Sequence, residues 1–375
     1  MKINNKVIVA GHICLDITPV FASKSKKANI EEVFIPGQLI QVGKAEVHTG
    51  GVVANTGLGM KKLGAEVRLM GKIGTDTFGK MILNILKEYQ AEEDMLIYQG
   101  DTSYTIVLAP PGIDRIFFHN PGPNDTFSYN DLNLEKIKKA NLFHFGYPPL
   151  MKNIYANNGD ELVKIFKKVK KLGLATSLDM AAVDPDSEAG KVNWKQVLKK
   201  VLPYVDFFVP NIDEIGFILN RKKYEKWKEQ ALENDISTVI SVEKDVKPIA
   251  DKLIGMGAGM VLIKCGSPGI YYQVTDQKHI KSLSKTLNQD FKNWGGREGF
   301  EKSYKPEQVC SATGAGDIST AAFLTAMLKN YSLNKCLKLA TAAGASCVET
   351  YDALSGLGSL AELEEKIAKG WEKKE

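Results

Sequence analysis

The densest group of chemically useful residues runs Ser311-Ala-Thr-Gly-Ala-Gly-Asp317 and leads directly into an apolar segment, 318–328, that reads as a helix. Thr313, Gly314, Ala315 and Gly316 are small enough to bring backbone N–H groups close to a ligand. The helix N-terminus behind them adds unpaired donors and the positive end of a dipole, so the stretch is a candidate anion site. Asp317 suits the first turn of a helix but competes with a bound anion. It reads either as a helix cap or as a base held beside an anion hole, ready to take a proton from an attacking hydroxyl.

A second group lies near the start. Gly50-Gly51-Val-Val-Ala-Asn55 puts two glycines before a helix and an amide in its first turn. Alone this is an ordinary tight turn with a cap. With Asp16, just after the first strand, it offers a carboxylate, close backbone donors and a carboxamide, a set suited to a polyhydroxylated ligand. Asn211-Ile-Asp-Glu214 has the spacing of a capping box, and Lys264-Cys-Gly266-Ser-Pro-Gly269 reads as a turn after a strand. Other nucleotide motifs fail. Gly-Lys at 43, 71, 79 and 190 is never followed by Ser or Thr, so there is no P-loop. No Gly-x-Gly pair has the third glycine of a dinucleotide fingerprint, and HRD, DFG, HExxH and GxSxG are absent.

These groups need a scaffold that brings them together. Residues 7–11 form a compact apolar strand. Residues 20–49 show partial alternation and Gly/Pro punctuation, as in exposed antiparallel strands. The pattern predicts a helix over 52–63 closed by Gly64, a strand over 67–73, and a helix from a cap at Asp76 to Tyr89. Residues 102–119 read as a hairpin turning at 110–114. From about residue 130, strands (142–145, 174–179, 206–210, 260–264, 270–274) alternate with helices (160–172, 194–202, one from 212). Two long helices follow over 314–330 and 333–348. This rhythm predicts a parallel sheet covered on both faces. The polar stretch 276–308 reads as a surface insertion. The expected organisation is an α/β body of residues 1–15, 48–97 and 125–375, with 16–47 and 98–124 pairing as a discontinuous β lid.

Composition sets limits. A chain of 375 residues fits two domains, or one large domain with an accessory part. Lys+Arg total 49 against 44 Asp+Glu, a net +5, and the lysines cluster in helix-like segments such as 167–171. These are solvated helix faces, so no nucleic-acid partner is expected. No apolar run nears the roughly 18 residues of a membrane span, so no membrane partner is expected either. Five cysteines, an odd number without CxxC, argue against a disulfide framework and a zinc site. The N-terminus reads as a strand and not as a signal peptide, and a cytoplasmic location is expected.

Residues 50–79, GGVVANTGLGMKKLGAEVRLMGKIGTDTFG, resemble the first signature of the ribokinase-like (PfkB) carbohydrate kinases. Residues 312–328, ATGAGDISTAAFLTAML, resemble the second. Their order, their separation of about 260 residues and the α/β rhythm between them also fit, and the likeness covers essentially the whole chain. The resemblance implies a ribokinase-like fold, a central mostly parallel sheet flanked by helices with a small β lid. It implies transfer of the γ-phosphate of ATP, with Mg2+, to a hydroxyl of a sugar or sugar-like substrate. Asp317 would be the catalytic base, and the backbone of Gly314, Ala315 and Gly316 the anion hole. Asp16, Gly50, Gly51, Asn55 and Asn124 would contact substrate. Asn211, Lys264, Gly266, Gly269, Thr313, Thr341 and Gly344 would lie at the nucleotide, and Glu214 near the magnesium through water.

Two positions depart from the family pattern. Ser311-Ala312 stands where Asp-Thr is usual. That Asp helps form a monovalent-cation site in several members, so a weaker dependence on potassium is expected. Lys264 stands where Thr is common and would add a phosphate contact. A lid-to-lid homodimer would cover the lid's strand edges. The alternative on the same fold is a nucleoside kinase, which needs an apolar or aromatic shelf for the base. A non-catalytic sugar- or nucleotide-binding protein is opposed by the intact Asp317, TGAG, Asn211 and Glu214. A dinucleotide oxidoreductase is opposed by the missing fingerprint.

Overall fold

Strand β1, Lys6–Gly11, is apolar from Val7 to Ala10 because both of its faces are covered. Val7 and Val9 enter one layer of the core, Ile8 and Ala10 the other. The computed structural model that shows this describes residues 6–21, 29–113, 115–232 and 234–374. Residues 1–5 of the expected body, 22–28 of the expected lid and Asp114 of the hairpin turn lie outside the described residues.

The other strands are β2 (Cys14–Phe21), β3 (Val42–Gly50), β4 (Glu66–Met70), β5 (Lys72–Gly74), β6 (Leu96–Tyr98), β7 (Tyr104–Leu108), β8 (Ile116–Asn120), β9 (Leu142–Gly146), β10 (Ala175–Leu178), β11 (Phe207–Phe208), β12 (Met260–Lys264), β13 (Gly269–Val274) and β14 (Glu298–Lys302). The helices are α1 (Val52–Lys62), α2 (Thr77–Glu88), α3 (Leu134–Ile137), α4 (Lys152–Lys171), α5 (Trp194–Val201), α6 (Ile212–Leu219), α7 (Arg221–Ala231), α8 (Lys247–Gly255), α9 (Gln277–Leu287), α10 (Ala315–Leu328), α11 (Leu333–Cys347) and α12 (Leu360–Ala368).

The main sheet has eight strands in the order β14-β13-β12-β11-β10-β9-β1-β4. Pairing is parallel from β4 through β12 and antiparallel for β12–β13 and β13–β14. One core layer packs α1, α9, α10, α11 and α12 on one face, and the other packs α4, α5, α6 and α8 on the opposite face. Helix α10 is buried at every residue from Asp317 to Leu328 because it lies between neighbours and not on the surface. No described helix is long and apolar enough to cross a membrane, and all five cysteines are unpaired.

A second sheet has the order β3-β2-β7-β8. Parallel pairing of Leu15 with Tyr104, Asp16 with Thr105 and Ile17 with Ile106 joins segments about 90 residues apart. The β7–β8 hairpin falls where the sequence placed it.

Two expectations need correction. The strand expected over 67–73 is two strands in different sheets: β4 pairs with β1, and β5 pairs with β6. The break comes at Gly71, where a Cβ would lie 2.8 Å from Ile13 Cγ2. The polar stretch 276–308 is not a surface insertion. It supplies α9 and then β14, the edge strand of the main sheet. Its apolar residues Ile280, Leu283, Leu287, Phe291 and Trp294 fall three to four apart and all enter the core. Trp294 packs on Phe291 with ring centroids 4.7 Å apart and on Phe323 of α10 at 6.1 Å. Trp294→Ala is therefore expected to destabilise the protein by about 3–5 kcal/mol. Chemical denaturation would check this; a loss under about 1 kcal/mol would return the segment to the surface.

Candidate active site

Parallel strands all end on the same side of a sheet, so whatever follows them converges. Here β9 is followed by Tyr147, β10 by Asp179, β11 by Asn211, and β12 ends in Lys264. Asn211 bridges to Lys264 through the backbone, which brings those two strand ends together. The N-terminus of α10 faces this edge. A Cβ on Gly316 would lie 3.5 Å from both Lys264 Nζ and Asn211 Oδ1. Gly314, the N-cap, takes a left-handed backbone (φ 77°), and a Cβ there would stand 2.4 Å from that of Ala353. The turn thus needs glycine twice over.

Asp317 is buried and held by three donors. Asn55 Nδ2 donates to Oδ2 at 2.9 Å, Tyr147 OH donates to the same oxygen at 2.7 Å, and Thr56 Oγ1 donates to Oδ1 at 3.2 Å. Asn55 and Thr56 come from the first turns of α1, so the two signature motifs meet at this carboxylate.

Lys264 is the charge at the floor of the site. Its amine donates to Asp179 Oδ1 at 2.9 Å and Oδ2 at 2.8 Å. Burial works against this ammonium, but Asp179, Glu214 and Asp317 outweigh it and hold its pKa above the ordinary value. Burial pushes the Asp179 carboxyl up to about 6 although Lys264 pulls it down. Burial also pushes Glu214 up to about 8, with Lys264 opposing and Asp179 adding to the rise. Glu214 closes the capping box read from the sequence: Asn211 N donates to Oε2 at 2.7 Å and Asn211 Nδ2 to Oε1 at 3.1 Å.

A cavity of about 510 Å³ lies between the small sheet and the body. Asp16, Asn55 and Thr313 line it, and Val107, Ala109, Ile113, Val309 and Tyr351 give it an apolar side. Burial pushes the Asp16 carboxyl up. A Cβ on Gly50 would stand 2.2 Å from Asp16 Oδ2, so that glycine makes room for the carboxylate. Gly51 (φ 83°) does the same for His12, whose Nδ1 would lie 2.6 Å from its Cβ. Arg115, just before β8, donates from Nη1 to Thr313 Oγ1 at 2.8 Å and ties the small sheet to the glycine-rich turn. Ser311 Oγ accepts from Thr313 N at 3.1 Å.

Several expected site residues do other work. Asn124 is not at the cavity. It is fully buried, with Oδ1 accepting from Ile13 N at 3.3 Å and Nδ2 donating to Ile13 O at 2.9 Å and Pro121 O at 3.0 Å. A side chain so committed, fully buried and off the cavity, braces the backbone. Gly344 makes room for α10, since its Cβ would lie 2.3 Å from Ser319 Oγ. Gly269 admits the backbone of β14, with Glu301 O 2.2 Å from its Cβ position. Gly266 (φ 63°) faces Ser237 and Asp235. Thr341 Oγ1 donates to Lys338 O at 3.1 Å and accepts from Lys373 Nζ at 3.2 Å, while Lys374 Nζ donates to Ser267 Oγ at 2.5 Å. The C-terminal lysines thus bridge the loop after β12 and α11, two segments whose residues were expected at the nucleotide.

The sequence reading passed over Thr56, Arg115, Tyr147 and Asp179. Three of them had a signal. Thr56 follows Asn55 inside a recognised motif, and Tyr147 and Asp179 each come directly after a buried strand of a parallel sheet. Arg115 had none, because nothing local shows that a hairpin residue will cross to another unit.

Comparisons with known proteins agree with this geometry. The family model described as pfkB family carbohydrate kinase matches residues 5–358. The chain is 24% identical over 379 residues to a fructokinase-2 of Oryza sativa subsp. japonica, covering 97% of this chain and 94% of that one. The structure of Arabidopsis thaliana ribokinase complexed with ribose and ATP superposes with a TM-score of 0.67 at 20% identity, covering 96% of this chain and 97% of that one. An E. coli structure in complex with ATP and Mg2+ gives 0.69 at 18% identity, covering 97% and 99%. The fold is the ribokinase fold, as expected.

The state of Glu214 has a consequence for stability. A carboxyl whose folded pKa is raised stays protonated in the native state after it has ionised in the unfolded chain. Its contribution is intact below about pH 4.5 and is lost as pH rises to about 8. Glu214→Gln, which cannot ionise, is expected to flatten the fall of unfolding free energy across that window. Denaturation of both proteins between pH 4.5 and 8 checks it; parallel curves would show that burial does not raise this group.

Proposed function

We propose that this chain, which belongs to the pfkB family of carbohydrate kinases, uses Asp317 as general base to phosphorylate a hydroxyl of a sugar or sugar-like acceptor. Membership and the fructokinase relatives make it a carbohydrate kinase, and ATP with Mg2+ are its cofactors, in keeping with the related structures. The observation that carries the finer reading is the double position of Asn55. Its carboxamide donates to Asp317, and the same residue lines the cavity that Asp16 also lines. The residue that would anchor the acceptor and the residue that would take its proton are therefore one side chain apart.

In this reading Asp16 accepts hydrogen bonds from acceptor hydroxyls, and Asn55 orients the reacting one. Asp317 takes that hydroxyl's proton, the oxygen attacks the γ-phosphorus, and the bond to the bridging oxygen of ADP breaks. The N–H groups of Thr313–Gly316 meet the charge on the transferring group. The Lys264 amine, close below Gly316, adds a fixed positive charge. Glu214 and Asn211, one buried carboxylate and one carboxamide, would help hold a magnesium ion that arrives with the nucleotide. That ion supplies charge neutralisation on the phosphates. The small sheet reaches the glycine-rich turn through Arg115 and Thr313, and in this reading it would exclude water from the transfer.

The apolar side of the cavity, with Val107, Ile113, Val309 and Tyr351, favours a second reading in which the acceptor carries an apolar face, as a nucleoside does. ADP release measured across a panel of sugars and nucleosides separates the two.

Asp317→Asn keeps the shape of the side chain and removes the base. It is expected to lower kcat by about 10²–10⁴-fold while ATP binding, read by calorimetry, is retained. Turnover near the wild-type rate would sink the base assignment.

A further inference from the structure

The two oxygens of Asp317 are not equivalent. Oδ2 accepts from both Asn55 and Tyr147, whereas Oδ1 accepts only from Thr56 among the described residues. A carboxylate oxygen has two in-plane lone pairs. Oδ2 is saturated and Oδ1 has one lone pair left. We infer that Tyr147 is a positioning residue for the general base: with Asn55 it locks Oδ2, so that Oδ1 is the oxygen that receives the acceptor's proton. The inference rests on the reading of Asp317 as base.

The backbone shows that this side chain is placed at a cost. Tyr147 has φ 65° and ψ 40°, the left-handed region that bulky residues avoid. Strain of this kind persists where the surroundings over-determine it, and it clusters at functional sites. The surroundings are visible here. Gly146 ends β9 just before, and Pro148 and Pro149 follow in a tight turn closed by Leu150 N donating to Tyr147 O at 3.0 Å. Glycine would take this conformation freely, but it would leave Oδ2 with one donor. The ring lies against His12, with centroids 6.0 Å apart, which fixes the direction of the hydroxyl. Burial and the Asp317 carboxylate both hold the phenol well above its ordinary pKa. It therefore stays protonated and acts as a donor.

The three donors come from two separate parts of the chain, α1 and the end of β9, and Asp317 from a third, α10. Asn55 and Thr56 are neighbours on α1 and each holds a different oxygen of the carboxylate. Tyr147 adds a second donor to Oδ2 from the end of β9 and so opposes rotation about the bond joining the carboxylate to its side chain. Without it, either oxygen of Asp317 could turn toward the cavity, and only part of the population would present a free lone pair in the attacking direction.

Tyr147→Phe in the full-length enzyme removes one oxygen and leaves ring and backbone in place. A hydrogen bond to a charged group corresponds to roughly a tenfold to hundredfold effect. The expected result is a fall in kcat of that size, KM for ATP and acceptor within about twofold, and a melting temperature close to wild type. In an Asp317→Asn background the same change is expected to leave the residual rate unaltered, because there is no base left to position. A purely structural tyrosine would lower stability and would depress the rate equally in both backgrounds. An unchanged kcat in Tyr147→Phe, or losses that multiply in the double variant, overturns the inference. If Asp317→Asn itself remains active, it is the base assignment that falls; if that variant is inactive and Tyr147→Phe is not, only the role of Tyr147 falls.

Discussion

A positive charge inside a protein must be compensated, and the buried amine of Lys264 organises much of the centre of this molecule. It sits at the end of β12 with Asp179 paired to it and with Glu214 and Asp317 close enough to stabilise its charge. Remove the ammonium and three carboxyl groups crowd one site in a low-dielectric interior, where like charges cannot all ionise. Remove the carboxylates and the amine is a buried charge without a partner, among the costliest states a side chain can occupy. The cluster is therefore stable only as a whole. Lys264 ends β12 and Asp179 follows β10, with β11 between them, while Glu214 and Asp317 stand in the first turns of α6 and α10, so sheet register and helix placement together maintain the spacing on which the charge balance depends.

This balance has a bearing on phosphoryl transfer. Phosphates bring several negative charges, and a site that waited for solvent to neutralise them would have to reorganise at the moment of reaction. The ammonium is already in place under the glycine-rich turn, and the first N–H groups of α10 point the same way. Burial raises the carboxyls of Glu214 and Asp179, and Lys264 only partly pulls them back. Their surroundings are short of positive charge, and an arriving divalent cation would correct that shortage.

The small sheet completes the arrangement from the other side. It carries Asp16 on β2, and the segment before β8 carries Arg115, which reaches the turn of α10 through Thr313. In the proposed reading one unit thus holds both the carboxylate that would anchor the acceptor and a contact to the glycine-rich turn. Any movement of this sheet would change both ends of the cavity together, a physical route by which acceptor binding could be coupled to closure over the transferring group.

The α/β class, the hairpin, most strand positions and both signature motifs were legible in the sequence, because each rests on local chemistry: hydrophobic period, glycine before a helix, small residues before a carboxylate. Asp317, Asn55 and Asp16 were nameable as candidates on the same local chemistry, and Lys264 from its place at the end of a strand. Asn124 was misread because the same carboxamide serves a substrate or a neighbouring backbone equally well, and only burial tells which. The polar run 276–308 was misread because its core residues are spaced three to four apart among charges, and their common face appears only once α9 forms. Tyr147 and Asp179 became visible when the strand order placed β9, β10, β11 and β12 side by side. Motif chemistry is written in neighbouring residues and can be read from them; partnership across a sheet depends on which strands pair, a choice made by packing the whole chain.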